Sequence, residues 1–331
     1  MSAHARDDVW QEARDLLRAS GRVVVACHIN PDADALGSAL ALGLALRAHG
    51  REVVVSCGTD DAAWQVPDAL AFLPGGDLVA DPREVLSGPR PALVVTTDTG
   101  SADRLGPLQP LLDQAGAVLV VDHHATNTRF GSVNLIEVTA ASTTVVVAQL
   151  VHELAGGPDL MDADIATCLY AGLVTDTGSF RFGATTPYVH RLAAELLEAG
   201  ADPVSVGQHL FDTATFAGVQ LLGTAVARAR LEDRLVWTSV GFEERTALGQ
   251  PIAAVEGVID VIRTAAEVDV AVVCKGVAPG QWSVSMRSRG ATDVGSVAAA
   301  LGGGGHRLAA GFTARVATPE EAVAMVRAQL P

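Results

Sequence analysis

Four short apolar runs punctuate the first part of the chain: RVVVAC (22–27), EVVVSC (52–57), ALVVTT (92–97) and AVLVVD (117–122). None alternates apolar with polar positions, so each predicts a strand covered on both faces. Between them lie stretches with helical character. One is ALGSALALGLALRAHG, which begins after an Asp-rich loop and stops at Gly50. Buried strands alternating with helices predict a parallel sheet. Two further apolar helices are expected near 140–155 and 162–175. After about Thr185 the pattern changes. Helical segments near 187–200 and 202–211 read as a connector, and 215–230 as a helix leading onward. LVWTSV (235–240), VDVAVVC (268–274) and WSVSMRS (282–288) predict the strands of a second unit. The expected architecture is therefore α/β throughout. A parallel-sheet domain spans 1–186, a helical linker 187–220, and a smaller α/β domain 221–331.

Charge divides these parts sharply. The chain has 331 residues with 23 Lys+Arg and 38 Asp+Glu, a formal net charge of −15. From Leu221 onward the two signs balance at 11 each, so the first 220 residues carry 12 basic and 27 acidic residues. Long nucleic acid needs a basic track, and an acidic first part excludes tight binding of long duplex. The four cysteines (Cys27, Cys57, Cys168, Cys274) form no CxxC pair and no disulfide framework, which fits a reducing cytoplasm. No apolar stretch has the length of a membrane span. The charged N-terminus lacks the apolar core of a secretory signal.

The acids are informative where they follow predicted strands. His28-x-x-x-Asp32-x-Asp34 follows the first, Asp98 the third, and Asp122-His123-His124 the fourth. Strands of a parallel sheet end on one edge, where ligands bind, so these residues are expected to converge. Asp176 ends a predicted helix, and pattern alone does not place it. Each residue has an ordinary alternative. A lone Asp after a strand is often a helix cap, and a lone His often bonds backbone. Their joint occurrence at successive strand ends points instead to cations. Crowded carboxylates with imidazoles and no thiolate suit Mn2+, with Mg2+, Co2+ or Zn2+ as alternatives. The donors outnumber the needs of one ion. Two ions sharing a carboxylate, about 3.5–4 Å apart, would acidify a water and clamp a phosphoryl oxygen.

In the second unit, GGGG (302–305) precedes His306. Glycines there permit positive φ and an anion-binding nest, or simply a hinge. Ser285, Arg287 and Arg289 recur at every second position on or just past a strand. They share a face, as phosphate contacts or as solvated charge.

The motifs HINPDAD (28–34), DTG (98–100), DHH (122–124), DTGSF (176–180) and GGGGHRLAAGF (302–312) occur in an order and spacing that resembles the DHH phosphoesterase superfamily with its DHH-associated C-terminal domain. The resemblance implies one ion on His28, Asp32 and Asp98, and another on Asp34, Asp98, His123 and Asp176, with Asp98 shared. It implies His124 facing the substrate phosphate and Asp122 orienting a histidine. Catalysis then falls to Asp98 and His124. Substrate contacts fall to His124, Ser285, Arg287, Arg289, Gly304, Gly305 and His306. The branch it most resembles degrades very short RNA and dephosphorylates 3'-phosphoadenosine 5'-phosphate, and some relatives cleave cyclic di-AMP. The alternatives are a family II-like inorganic pyrophosphatase and a non-catalytic nucleotide-binding module. The expected partner is a small nucleotide or short oligonucleotide, with no membrane. The apolar helices near 140–175 bury either a homodimer face or the chain's own core.

Overall fold

The computed structural model describes residues 3–19, 21–58, 64–155 and 161–330. The chain forms two compact units, one ending at Thr213 and the other beginning at Ala214. The boundary thus falls inside the 187–220 stretch.

The first unit is built on β1 (Val23–Cys27), β2 (Val53–Cys57), β3 (Leu93–Thr97), β4 (Ala117–Asp122) and β5 (Val133–Ile136). These pair in the order β2-β1-β3-β4-β5, all parallel and in simple register, such as Cys27 with Cys57 and with Thr97. The α/β reading holds, and the first four strands start within a residue of the expected positions. β5 is new: VNLI is short and mixes polar with apolar positions, and it carries no strand signal of its own.

Alternation within each strand sorts its side chains between two cores. Val23, Val25 and Cys27 join Leu93, Val95, Leu119 and Val121 beneath α1 (Ala3–Ala19), α2 (Ala33–Ala48), α5 (Thr143–Ala155) and α6 (Ala163–Asp176). Val24, Ala26 and Val94 face the other way. They lie against Val85 of α3 (Pro82–Ser87), Leu105 and Leu108 of a 3-10 segment, and Leu111 of α4 (Leu111–Gln114). α2 is buried from Ala33 to Leu46 because the sheet, α5 and α6 all pack against it. α2 and α6 approach backbone to backbone. A Cβ at Gly37 would sit 2.4 Å from Cys168 O, and one at Gly172 would sit 2.7 Å from Asp34 Cα. α7 (Pro187–Glu198) and α8 (Pro203–Phe211) pack on α6, and Val189, Leu192, Leu196 and Val206 enter the same core.

The second unit opens with α9 (Phe216–Ala227). Its strands are β6 (Arg230–Glu232), β7 (Leu235–Val240), β8 (Val270–Ala278), β9 (Gln281–Ser288), β10 (Gly304–His306) and β11 (Ala309–Ala314). They pair in the order β10-β11-β9-β8-β7-β6, antiparallel except β7 with β8. α10 (Phe242–Ala247) and α11 (Val258–Ile262) lie between β7 and β8 in the chain. One sheet face packs on α12 (Val294–Ala300) and α13 (Pro319–Arg327). The other packs on Leu221 and Ala225 of α9 and on Val258, Ile259 and Ile262 of α11. Among the described residues no single helix is long and apolar enough to cross a membrane.

Candidate active site

The order β2-β1-β3 makes β1 and β3 the point where the winding of the sheet reverses, and ligands of such sheets bind at the C-terminal ends of the strands there. His28 follows β1, Asp98 follows β3, and Asp122 ends β4. Asn30 and Asp98 turn the chain there with φ of 51° and 53°. Left-handed backbone costs a non-glycine residue on the order of 1 kcal/mol, least for Asn and Asp, and such strain gathers at functional sites.

Asp98 lies at the centre. Its Oδ2 is 3.6 Å from His28 Nε2, and its Oδ1 is 3.5 Å from His123 Nε2. Asp176 closes the far side, with Oδ2 3.4 Å from His123 Nε2. Three overlapping groups, His28–Asp32–Asp98, Asp34–His123–Asp176 and Asp98–His123–His124, each bring their ligand atoms within 4.8 Å of one another. The separations test the fit to metal. An N–H···O hydrogen bond spans about 2.7–3.2 Å. Two donors sharing an ion at about 2.0–2.2 Å stand roughly 3.0–3.5 Å apart. The contacts of Asp98 with His28 and His123 match the longer figure, so the donor set fits cations.

Local hydrogen bonds aim these groups. His28 Nδ1 donates to Ile29 O at 2.8 Å, which turns Nε2 toward Asp98. Asp32 caps α2 through its Oδ1, which accepts from Ala35 N at 2.9 Å. Asp34 is fully buried, and its two oxygens accept from the N–H groups of Thr143 (2.7 Å) and Thr144 (2.8 Å). Thr143 Oγ1 donates to Asp98 Oδ1 at 2.8 Å. Asp122 is also fully buried. Its Oδ1 accepts from His124 Nδ1 at 2.7 Å and from His123 N at 2.8 Å, and its Oδ2 accepts from Asn127 Nδ2 at 2.6 Å. Pattern reasoning missed Thr143, Thr144 and Asn127. The Ser-Thr-Thr opening of an apolar helix was a capping signal for the first two.

Proximity without bound cations leaves opposed pKa shifts. Burial, then repulsion by Asp98 and Asp32, raises the carboxyl of Asp34 well above its usual range. Burial, then Asp34 and Asp98, does the same to Asp176. For Asp98, burial works upward but is outweighed by His28, His124 and His123, and the carboxyl is lowered. Burial pulls His28 and His124 down, yet the neighbouring carboxylates prevail and raise both, His124 to about 9.

These shifts set the pH response of the metal-stripped protein. Histidines with raised folded pKa values stabilise fully below about pH 6.5 and lose that contribution as pH climbs through the folded value. Carboxyls with raised pKa values act in the same sense. Asp98, lowered, keeps its contribution everywhere above about pH 4. In EDTA the melting temperature should therefore fall between pH 6 and pH 9. Saturating Mn2+ should reverse the loss, with the largest metal-induced rise at alkaline pH. Each ion present at 100 times its Kd adds about 2.7 kcal/mol. Calorimetric melts at three pH values, with and without metal, would refute the linkage if the metal-free curve rose instead.

In the second unit, Ser285 and Arg287 lie on the half-open face of β9, opposite buried Val284 and Met286. Cross-strand register puts His306, Ala309 and Arg287 in one row, and Gly304, Gly311 and Ser285 in the next. Directly opposed residues share a face. Small residues on β11 thus leave a shelf between the guanidinium and the imidazole. Burial draws the Arg287 pKa below its usual value. Gly305 has φ of 138°, and a Cβ there would meet Ala309 O at 2.6 Å. The Arg289 side chain is engaged elsewhere, its Nη1 donating to Ala265 O at 2.6 Å.

Residues 22–173 match the model of the DHH family, N-terminal domain, and residues 251–330 match the DHHA1 domain. The chain belongs to the DHH family, in the form that carries a DHHA1 domain. Among its relatives is the bifunctional oligoribonuclease and PAP phosphatase NrnA of Thermus thermophilus, 33% identical over 92% of this chain and 89% of that protein. The cyclic-di-AMP phosphodiesterase GdpP of Geobacillus thermodenitrificans is 28% identical over 88% of this chain but 44% of its own. In fold, the chain resembles an exopolyphosphatase-related protein from Bacteroides fragilis, with a TM-score of 0.87 and 21% identity, covering 97% of this chain and 95% of that one.

Proposed function

We propose that this chain is a two-metal phosphoesterase that hydrolyses short oligoribonucleotides, including linear dinucleotides such as pApA, and 3'-phosphoadenosine 5'-phosphate. Cyclic di-AMP is a further candidate. The observation that carries the reading is similarity along almost the whole chain to an oligoribonuclease and PAP phosphatase, joined to a carboxylate–imidazole cluster that fits cations.

His28, Asp32 and Asp98 would hold one ion, and Asp34, Asp98, His123 and Asp176 the other. Oxygen and imidazole donors without thiolate favour Mn2+, and RecJ of Thermus thermophilus, a fold neighbour with a TM-score of 0.58 and 17% identity, is described in complex with Mn2+. Such ions, when bound, supply an acidified water and neutralise phosphoryl charge. The protein's part is orientation and charge. Asp122 holds the Nδ1 proton of His124, and this fixes the ring and leaves Nε2 to face a substrate phosphate. An imidazole held in this way can donate a hydrogen bond to charge that builds up in the transition state. In the second unit, Ser285, Arg287, Gly304, Gly305 and His306 offer a guanidinium, an imidazole and backbone donors that suit a nucleotide phosphate or base. Arg289 would join them only on leaving Ala265 O. An acidic first unit suits short substrates over long strands.

The test offers 3'-phosphoadenosine 5'-phosphate, pApA, cyclic di-AMP and pyrophosphate side by side with Mn2+, with EDTA as control. EDTA-sensitive release of mononucleotide is expected from the first two. Turnover of pyrophosphate alone, or of nothing, would overturn the reading.

A further inference from the structure

The two halves of the acidic cluster are braced by different helix N-termini. Asp32 is held by the first turn of its own helix, through Ala35 N. The other half leans on α5, whose first residues are wholly buried. Thr143 N and Thr144 N donate to the two oxygens of Asp34, and Thr143 Oγ1 donates to Asp98 Oδ1. That oxygen faces His123, while Oδ2 faces His28. Ser142 Oγ and Thr144 Oγ1, 2.6 Å apart, tie the turn together. Among the described hydrogen bonds, none from residues 142–144 reaches His28 or Asp32.

We propose that Thr143 is a positioning residue for one ion only, the one held by Asp34, Asp98 Oδ1, His123 and Asp176. The proposal rests on the two-ion reading above. The physical argument is directional. A carboxylate shared between two cations must keep its plane fixed so that each oxygen serves its own side. Asp98 sits on a left-handed turn at the mouth of the sheet, and its neighbours His28 and His123 pull its two oxygens in opposite directions. The Thr143 hydroxyl pins one oxygen, and the amide of the same residue pins Asp34. One residue thereby sets the relative placement of two donors to the same ion. Without the hydroxyl, Oδ1 is left short of a donor in a buried place and is free to rotate. Donors lying behind metal ligands typically change affinity about 10–100-fold. The effect should fall on one ion and spare the other.

The experiment is calorimetric titration of metal-stripped protein with MnCl2, followed by low-temperature electron paramagnetic resonance for the coupled Mn2+ pair. Asp32→Asn and Asp176→Asn identify which binding step belongs to which half. Thr143→Val should weaken the step that Asp176→Asn weakens by about 10–100-fold. It should leave the other step unchanged and diminish the coupled signal. Thr143→Ser, which restores the hydroxyl, should behave as wild type. Thr143→Ala gives the same reading if the valine variant does not melt cooperatively. Equal weakening of both steps, no weakening, or failure of Thr143→Ser to recover would overturn the proposal. Wild-type protein that binds a single ion would remove the two-ion reading, and the proposal would fall with it.

Discussion

Asp98→Ala should lower kcat/KM on pApA by at least about 10³-fold, while the metal-free protein still folds cooperatively but with a lowered melting temperature. The two halves of this expectation have separate causes. Removing one donor to developing charge typically costs about 10²–10³ in rate, and Asp98 stands between both ligand groups, so its loss disables both. The fold survives because the lost attraction to His28, His123 and His124 is partly offset by relief of repulsion. The charge of Asp98 helps raise the carboxyls of Asp34 and Asp176, and its truncation relieves them. Against that relief stand alanine at φ 53°, on the order of 1 kcal/mol, and the lost bond to Thr143. Steady-state assay in Mn2+ and melting in EDTA check both halves. Activity within tenfold of wild type would remove Asp98 from the centre of the mechanism.

Gly172→Ala should act in the opposite order, on the fold first. The added Cβ would stand 2.6 Å from Thr144 Cγ2, 2.7 Å from Asp34 Cα and 2.9 Å from Asp34 Oδ1. The Asp34 Cα is backbone inside a buried helix and cannot swing aside. α6 must therefore move off α2, at a cost of roughly 1–3 kcal/mol for overpacking. In a domain of this size that lowers Tm by roughly 2–4 °C per kcal/mol. Because the displaced groups are Asp34 and the first turn of α5, Mn2+ affinity should fall with Tm. Gly183→Ala, with open space around the site of its Cβ, is the matched control and should change neither. A Gly172→Ala protein with unaltered melting and metal binding would show that the helix crossing is looser than its geometry indicates.

Strands of unbroken Val and Leu were legible because both-face burial leaves a continuous apolar run, and that is how β1 to β4 read. β10 and β11 were not. GGGGH has almost no strand propensity, and Gly304–His306 pairs only because the neighbouring Ala309–Ala314 offers it an edge. Convergence of His28, Asp98 and His123 followed from strand direction alone. The approach of Asp176 to His123 could not, since it depends on how α6 crosses α2. Thr143 and Asn127 were invisible for another reason. Their role is to hold other side chains, and a hydroxyl at a helix start or an amide three residues past a motif looks like any capping residue until its acceptor is seen.

The burial of α2 has a consequence for the order in which the chain is made. A helix apolar on every side has no solvent face on which to wait. Its lower cover, the sheet, needs strands up to Asp122, and its upper cover, α6, starts at Ala163, more than a hundred residues after α2 ends at Ala48. At about 5–20 residues per second, roughly 6–25 s of synthesis separate the two. Throughout that interval the growing chain carries a sticky rod of Leu and Ala, and its safe passage depends on what shelters nascent protein as much as on the final fold.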